Sequence, residues 1–229
     1  MFQFLEAPNL RHLRMVQVVG IVGGVSSASR ALYSSQPTVT QAIANLEAEI
    51  GTQIFERCAT GTYPTEMGKQ YLLRIDRFFD ILDTAVTRIL ALHRSRLDSK
   101  APQVERLVTG TQLRSLIAIS EPGRVAEIAQ HLSLSPISLF RSARMLERAL
   151  GKPLLNNSLQ GLIPNETGKF LAQEFSRAMR EIELARGEIL HSAGTSGLDI
   201  IVGVLPMAGS QELVGATQRF LTTYPFVKV

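Results

Sequence analysis

The sequence predicts a mainly α-helical protein. In it one small unit, three helices and a two-stranded β-ribbon running into a long helix, occurs twice in tandem before the start of an α/β segment. Three observations lead there. The chain matches itself without a gap at an offset of one hundred residues. Each half shows the same helical apolar period, interrupted by Ser, Gly and Pro at the same relative places. Each half also runs into a long stripe of apolar residues spaced by three and four.

The repeat is carried by identities that helical periodicity alone does not produce. Leu13/Leu113, Arg14/Arg114, Gly23/Gly123, Val25/Val125, Leu32/Leu132, Ser35/Ser135, Leu46/Leu146 and Glu47/Glu147 match, and so do Gly51/Gly151, Gly61/Gly161, Pro64/Pro164, Glu66/Glu166, Gly68/Gly168 and Lys69/Lys169. Shared apolar spacing would match Leu with Leu. It would not match Gly, Pro, Glu and Lys in loops, so the pattern points to duplication.

Leu10, Leu13, Val16 and Val19 suit a first helix, and Val25 to Tyr33 a second. Ser35 is placed to cap a third, with Pro37 in its first turn, where a missing N–H is harmless. That helix runs to about Ile50. Val39, Ile43 and Leu46 share one face, leaving Thr40, Gln41, Ala44 and Asn45 directed elsewhere. Gly51 can take the left-handed conformation that ends it. Ile54 to Thr65, with Gly61 for a tight turn and Pro64 near its close, suits a two-stranded wing. The second copy reads as Leu107 to Ile119, Arg124 to Leu132, a Ser135-capped helix from Pro136 to Leu150, and a wing from Leu154 to Asn165.

A long helix follows each wing, capped by Thr65 or Asn165. Leu72, Ile75, Phe79, Leu82, Val86 and Ile89 form a seam suited to a partner helix, which predicts self-association as a homo-oligomer, dimer or tetramer. Leu171, Phe175, Ala178, Ile182, Ala185 and Ile189 repeat it. A second stripe, Phe78, Ile81, Ala85 and Leu92, is expected to serve the unit's own core. The domain limits are 1–68 and 101–168 for the two units, 69–100 and 169–192 for the long linker helices, and 198–229 for the α/β segment.

Composition bounds what the chain can do. The hydrophobic share of 45% with 19% charged residues over 229 positions suits a soluble globular protein. The longest apolar candidate, Val16 to Val25, is broken by Gly and falls short of the roughly 18 residues of a membrane span. The N-terminus lacks the basic-then-apolar order of a secretory signal, so a cytoplasmic location and no membrane partner are expected. Cys58 stands alone, which excludes an intramolecular disulfide, and His12, His93, His131 and His191 are scattered. No nucleophile with a base, no Gly-rich phosphate loop and no metal-ligand spacing occurs. The expectation is therefore a non-enzyme without cofactor or metal. A net charge of +4 and a pI near 9.5 are compatible with a nucleic-acid partner, though many proteins without one are as basic.

SSQPTVTQAIANLEAEIGTQIFER, Ser34 to Arg57, with PTEMGK, Pro64 to Lys69, resembles the N-terminus of LysR-type transcriptional regulators. SPISLFRSARMLERALGKPLL and PNETGK of the second copy resemble it in register. LDIIVGVLPMAGSQELVGATQRFLTTYPFVKV, Leu198 to Val229, is similar to the opening strand, helix and strand of that family's effector-sensing domain. The resemblance implies two tandem winged helix-turn-helix domains, a sequence-specific regulator of transcription, and double-stranded DNA as partner. It places base and phosphate contacts at Ser35, Gln36, Pro37, Thr40 and Gln41. A Gln amide can pair with adenine, and Pro or a Thr methyl can meet a thymine methyl.

Departures from the family pattern shape the expectation. Gln41 and Ala44 stand where the family often has Arg, and Cys58, Ala59 and Thr60 where it has a basic wing. The second copy offers Arg141 and Arg144 at those helix positions, beside Phe140, with an uncharged wing from Asn156 to Ile163. Arg141 and Arg144 are therefore expected to hold phosphates, while the first unit reads sequence. The alternative is a duplicated winged-helix module for dimerisation or protein interaction, with weak or no DNA binding. Leu198 to Val229 supplies only 32 residues of a sensor, so the chain is either part of a longer reading frame or lacks a working pocket. A small-molecule effector is expected only with a complete sensor domain.

Overall fold

A computed structural model describes residues 9–58, 61–91, 103–121, 123–158, 161–192 and 210–223. The described residues are mainly helical. The chain divides into two compact units, Met1–Glu183 and Leu184–Val229.

Within the first unit, α1 spans Leu10–Val22, α2 Val25–Ala31 and α3 Gln36–Ile50. Asn9 caps α1 by accepting from the Arg11 and His12 amides at 3.1 and 3.3 Å. Leu13, Val16, Val19, Ala28, Val39, Ala42 and Leu46 are the buried faces of the three helices. Strand β1, Phe55–Cys58, pairs antiparallel with β2, Gly61–Pro64, in the register Phe55↔Pro64 to Cys58↔Gly61. Helix α4 follows over Glu66–Ala91.

The elements then recur at the same offset. A short α5, Val104–Leu107, leads into α6, Gly110–Ser120, α7, Val125–His131, and α8, Pro136–Leu150. Strands β3, Leu155–Ser158, and β4, Gly161–Pro164, pair in the register Leu155↔Pro164 to Ser158↔Gly161, and α9 runs over Glu166–Ser192. Gly51 and Gly151 both end their helices at positive φ, 72° and 62°.

Matched residues do matched work. Glu47 accepts the Ile54 and Phe55 amides at 2.8 and 3.2 Å, and Glu147 the Leu154 and Leu155 amides at 2.7 and 2.9 Å, so a carboxylate ties the third helix to the wing base in each copy. Thr65 Oγ1 accepts the Gly68 amide and Asn165 Oδ1 the Gly168 amide, both at 2.9 Å, which are the caps expected for the long helices. A Cβ on Gly68 or Gly168 would overlap the carbonyl of Ile54 or Leu154, so glycine is what lets the long helix start against the wing.

Two expected boundaries are corrected. The second helix stops at Ala31 rather than Tyr33, because Tyr33 turns left-handed at φ 51° and the Ser34 amide closes back on the Ser29 carbonyl at 2.9 Å. The helix expected to begin at Leu107 begins at Gly110 instead, after the short α5 that ends at Leu107. Thr109 and Gln112 form a capping box that starts a new helix at Gly110.

The seam expected to meet a second chain is occupied inside this one. Ile75, Phe79, Leu82, Val86 and Ile89 are buried and Leu72 is half-buried. Leu72 closes over Gly20 of α1, where an added Cβ would lie 2.8 Å from its Cδ1. The guanidinium of Arg14 stacks 3.6 Å from the centre of the Phe79 ring. Arg14 also donates to Asp83 at 2.8 Å and to Glu105 at 3.1 Å, joining α1, α4 and α5. Leu72 and Phe79 therefore face their own unit.

What reaches the second copy lies on another face of α4. Arg74 pairs with Glu181 of α9 at 2.9 Å, Arg77 approaches the same carboxylate at 4.0 Å, and Arg88 lies 4.7 Å from the Phe170 ring. Ile81 and Ala85 share this helical face with Arg74 and Arg88. Those two belong to the stripe expected for the unit's own core, which thus shares its face with the residues that reach α9. Leu92, its last member, lies outside the described residues.

In the second compact unit, α10 spans Ser210–Thr223, with Val214 and Phe220 exposed. The strands expected at Leu198 to Val204 and Phe226 to Val229 lie outside the described residues. No helix among the described residues is long and apolar enough to cross a membrane.

Candidate nucleic-acid interface

The first turn of α3 is built by its cap. Ser35 Oγ accepts the Thr38 amide at 3.3 Å and lies 2.7 Å from the Thr38 hydroxyl, while Pro37 occupies a position whose N–H would have no helical acceptor. Because Val39, Ala42, Ile43 and Leu46 are drawn into the core, the opposite side is left outward. Gln36, Pro37, Thr40, Gln41 and Ala44 line one open depression there. Ser35, Gln36, Pro37 and Gln41 are exposed and Thr40 is half-buried. All five expected contact residues of the first copy thus come together on one helix end.

Two of these side chains are pre-oriented. Gln41 donates from Nε2 to Asn45 Oδ1 at 2.7 Å, which holds the amide along the helix. Gln36 Nε2 reaches Ser26 Oγ of α2 at 3.5 Å, the limit of a hydrogen bond. Both side chains stay within reach of an incoming base edge, since each bond occupies only part of the amide.

The corresponding surface of α8 differs at every position. Ser135 caps it as Ser35 caps α3, accepting the Ser138 amide at 3.1 Å. Its outward residues are Pro136, Ile137, Phe140, Arg141 and Arg144, and Ile137 is 73% exposed. The two arginines part company here. Arg141 is exposed, whereas Arg144 is held by Glu147 at 2.8 Å. Burial works against the Glu147 carboxylate, yet the Leu154 amide, Arg144 and the Leu155 amide together hold it below its ordinary range. Glu147 thereby neutralises much of the charge Arg144 would offer a phosphate.

Sequence reasoning passed over three exposed residues of the first copy. Tyr33 is 94% exposed at the turn between α2 and α3, Arg30 lies in the last turn of α2, and Arg57 stands on β1 opposite Thr62. The signal for Tyr33 was its place before a cap, where a helix must reverse. Arg57 lay one residue before the segment read as uncharged. Among the described residues no group of three His, Cys, Asp or Glu could hold a metal ion.

Three helices with the outer one capped and exposed, followed by a β-ribbon, define the class: a helix-turn-helix domain. Residues 10–69 match the bacterial regulatory helix-turn-helix protein family of the lysR type, so the first copy is a lysR-family helix-turn-helix domain. The HTH-type transcriptional regulator GalR of Pseudomonas putida is 30% identical over 225 residues, 98% of this chain and 55% of that protein. The transcriptional activator protein LysR of Escherichia coli is 33% identical over 40% of this chain and 30% of its own length. The HTH-type transcriptional regulator TfdS of Cupriavidus pinatubonensis is 36% identical over 38% of this chain and 30% of its own. The chain thus spans about half the length of the first of these relatives. No solved structure matches it.

Proposed function

We propose that this chain is a sequence-specific, DNA-binding regulator of transcription, built from two winged helix-turn-helix domains that arose by tandem duplication. The observation that carries the reading is the exposed end of α3, where Gln36, Pro37, Thr40 and Gln41 stand together on a capped helix of a lysR-family domain. A helix entering the major groove by its N-terminal end presents such side chains to base edges. The offset of one hundred between the two sets of helices, strands and caps supports the duplication.

Arg141 is the phosphate contact we propose for the second domain, with Arg144 contributing less because Glu147 already holds it. A second reading, in which α8 meets a protein, draws on the exposed Ile137 and Met145. The test is binding to duplexes of randomised sequence at several salt concentrations. Enrichment of a defined sequence with affinity falling as salt rises is the expected result. Binding that is insensitive to both sequence and salt would overturn the proposal.

A further inference from the structure

The side chains joining α4 to α9 have a regularity of their own. Reduced by the repeat offset, Arg74 meets the equivalent of position 81, Arg77 meets the same, and Arg88 meets the equivalent of position 70. Each pair therefore straddles nearly the same point, close to Phe78 and its counterpart Ala178. Equivalent residues that pair across a common point make an antiparallel helix pair with an internal two-fold axis. Such an axis would map α1–α4 onto α6–α9 in order, and Phe78 and Ala178, which lie beside it, are both buried.

We infer that a single chain is a complete, covalently joined pair of reading heads, and that it binds, as a monomer, one duplex containing two unlike half-sites. This rests on the DNA-binding reading above. The spacing agrees. Glu66 to Phe78 is twelve residue steps of α4, about 18 Å at 1.5 Å per residue, so the two domains enter their long helices about 36 Å apart along the pair. One turn of B-DNA covers about 34–36 Å, the separation at which two domains meet the same face of a duplex.

The two heads cannot read the same sequence. A homodimer presents one surface twice and selects a palindrome. Here α3 presents Gln36, Pro37, Thr40, Gln41 and Ala44, whereas α8 presents Pro136, Ile137, Phe140, Arg141 and Arg144. Carboxamides suit adenine. Phe140 and the exposed Ile137 suit thymine methyls. The target is thus an asymmetric site, with an amide-read half and an apolar-read half about one helical turn apart.

The full chain, incubated with a library of randomised duplexes, tests this. Two unlike enriched halves about one turn apart are expected, with one chain per duplex by light scattering. Separating the halves by about five further base pairs, half a turn, should weaken binding about a hundredfold, since it removes the effective concentration that one head gives the other. Ile137→Ala should alter the base preference in one half and leave the other unchanged. A palindromic consensus, two chains per duplex, or indifference to the inserted half-turn would overturn the inference. So would a single enriched half, the result expected if α8 meets a protein instead. If no sequence is enriched at all, the DNA-binding reading itself has failed.

Discussion

Arg74 of α4 donates from Nη1 to Glu181 Oε2 of α9 at 2.9 Å, a bond between residues 107 positions apart. Both side chains are more than four-fifths buried, at 18% and 19% exposure. Removing either leaves the other charge poorly solvated, so Arg74→Ala and Glu181→Ala should each destabilise the chain more than a surface pair would. A double-mutant cycle in urea is expected to give a coupling of roughly 1–3 kcal/mol. A coupling near zero would show that the two long helices do not pack in this way.

Leu82 and Val86 are fully buried within the chain. Leu82→Glu with Val86→Glu should therefore lower the stability of the single chain itself, by several kcal/mol on burial of two unpaired carboxylates. The unfolding midpoint of the parent should not change with protein concentration. A midpoint that rises with concentration would mean the seam is shared between chains.

Arg141 and Arg144 should respond differently to Gln. Arg141→Gln is expected to reduce the slope of log affinity against log salt by about one phosphate contact, with stability unchanged. Arg144→Gln should leave that slope almost unaltered and reduce stability, because Glu147 loses a partner. The opposite pattern in salt titrations and urea melts would reverse the assignment.

Gln36→Ala should relax preference at one base pair, costing about 1–3 kcal/mol there if the amide makes two hydrogen bonds to adenine. Randomised-site selection with the variant provides the check. A consensus identical to the parent's would remove Gln36 from the reading set.

The lowered pKa of Glu147 gives the fold an acid limit. A carboxylate whose pKa is depressed by folding contributes stability that is complete above its unfolded value and is lost as pH falls through the folded one. The stability advantage of the parent over Glu147→Gln should thus be largest near neutrality and shrink on acidification below the ordinary carboxylate range. Urea midpoints of both proteins at neutral and acid pH measure it. An advantage that is constant or grows in acid contradicts the assignment.

Much of this protein was legible in the amino-acid order. The offset of the repeat is read by laying the chain against itself. The Ser35 and Ser135 caps, the stop at Gly51 and the outward set at Gln36, Pro37, Thr40 and Gln41 are local properties. Each depends on residues a turn or two apart, and the caps, stops and outward set stand in the structure where the sequence placed them. The capping box at Thr109 and Gln112 was legible too, as a Thr followed three residues later by Gln. It was masked by the continuous apolar pattern on either side.

Tertiary structure alone decided which partner each face of a helix meets. Leu72, Phe79 and Leu82 recur at the spacing of a seam whether they pack on their own domain or on another chain, because periodicity records that a face is apolar and carries no record of what covers it. The closure of Leu72 on Gly20, Arg14 over Phe79, and Arg74 on Glu181 join residues 52 to 107 positions apart. The same limit explains Arg144. Its charge was plain in the sequence, but whether Arg144 faces a phosphate or Glu147 depends on the wing amides that hold that carboxylate in place.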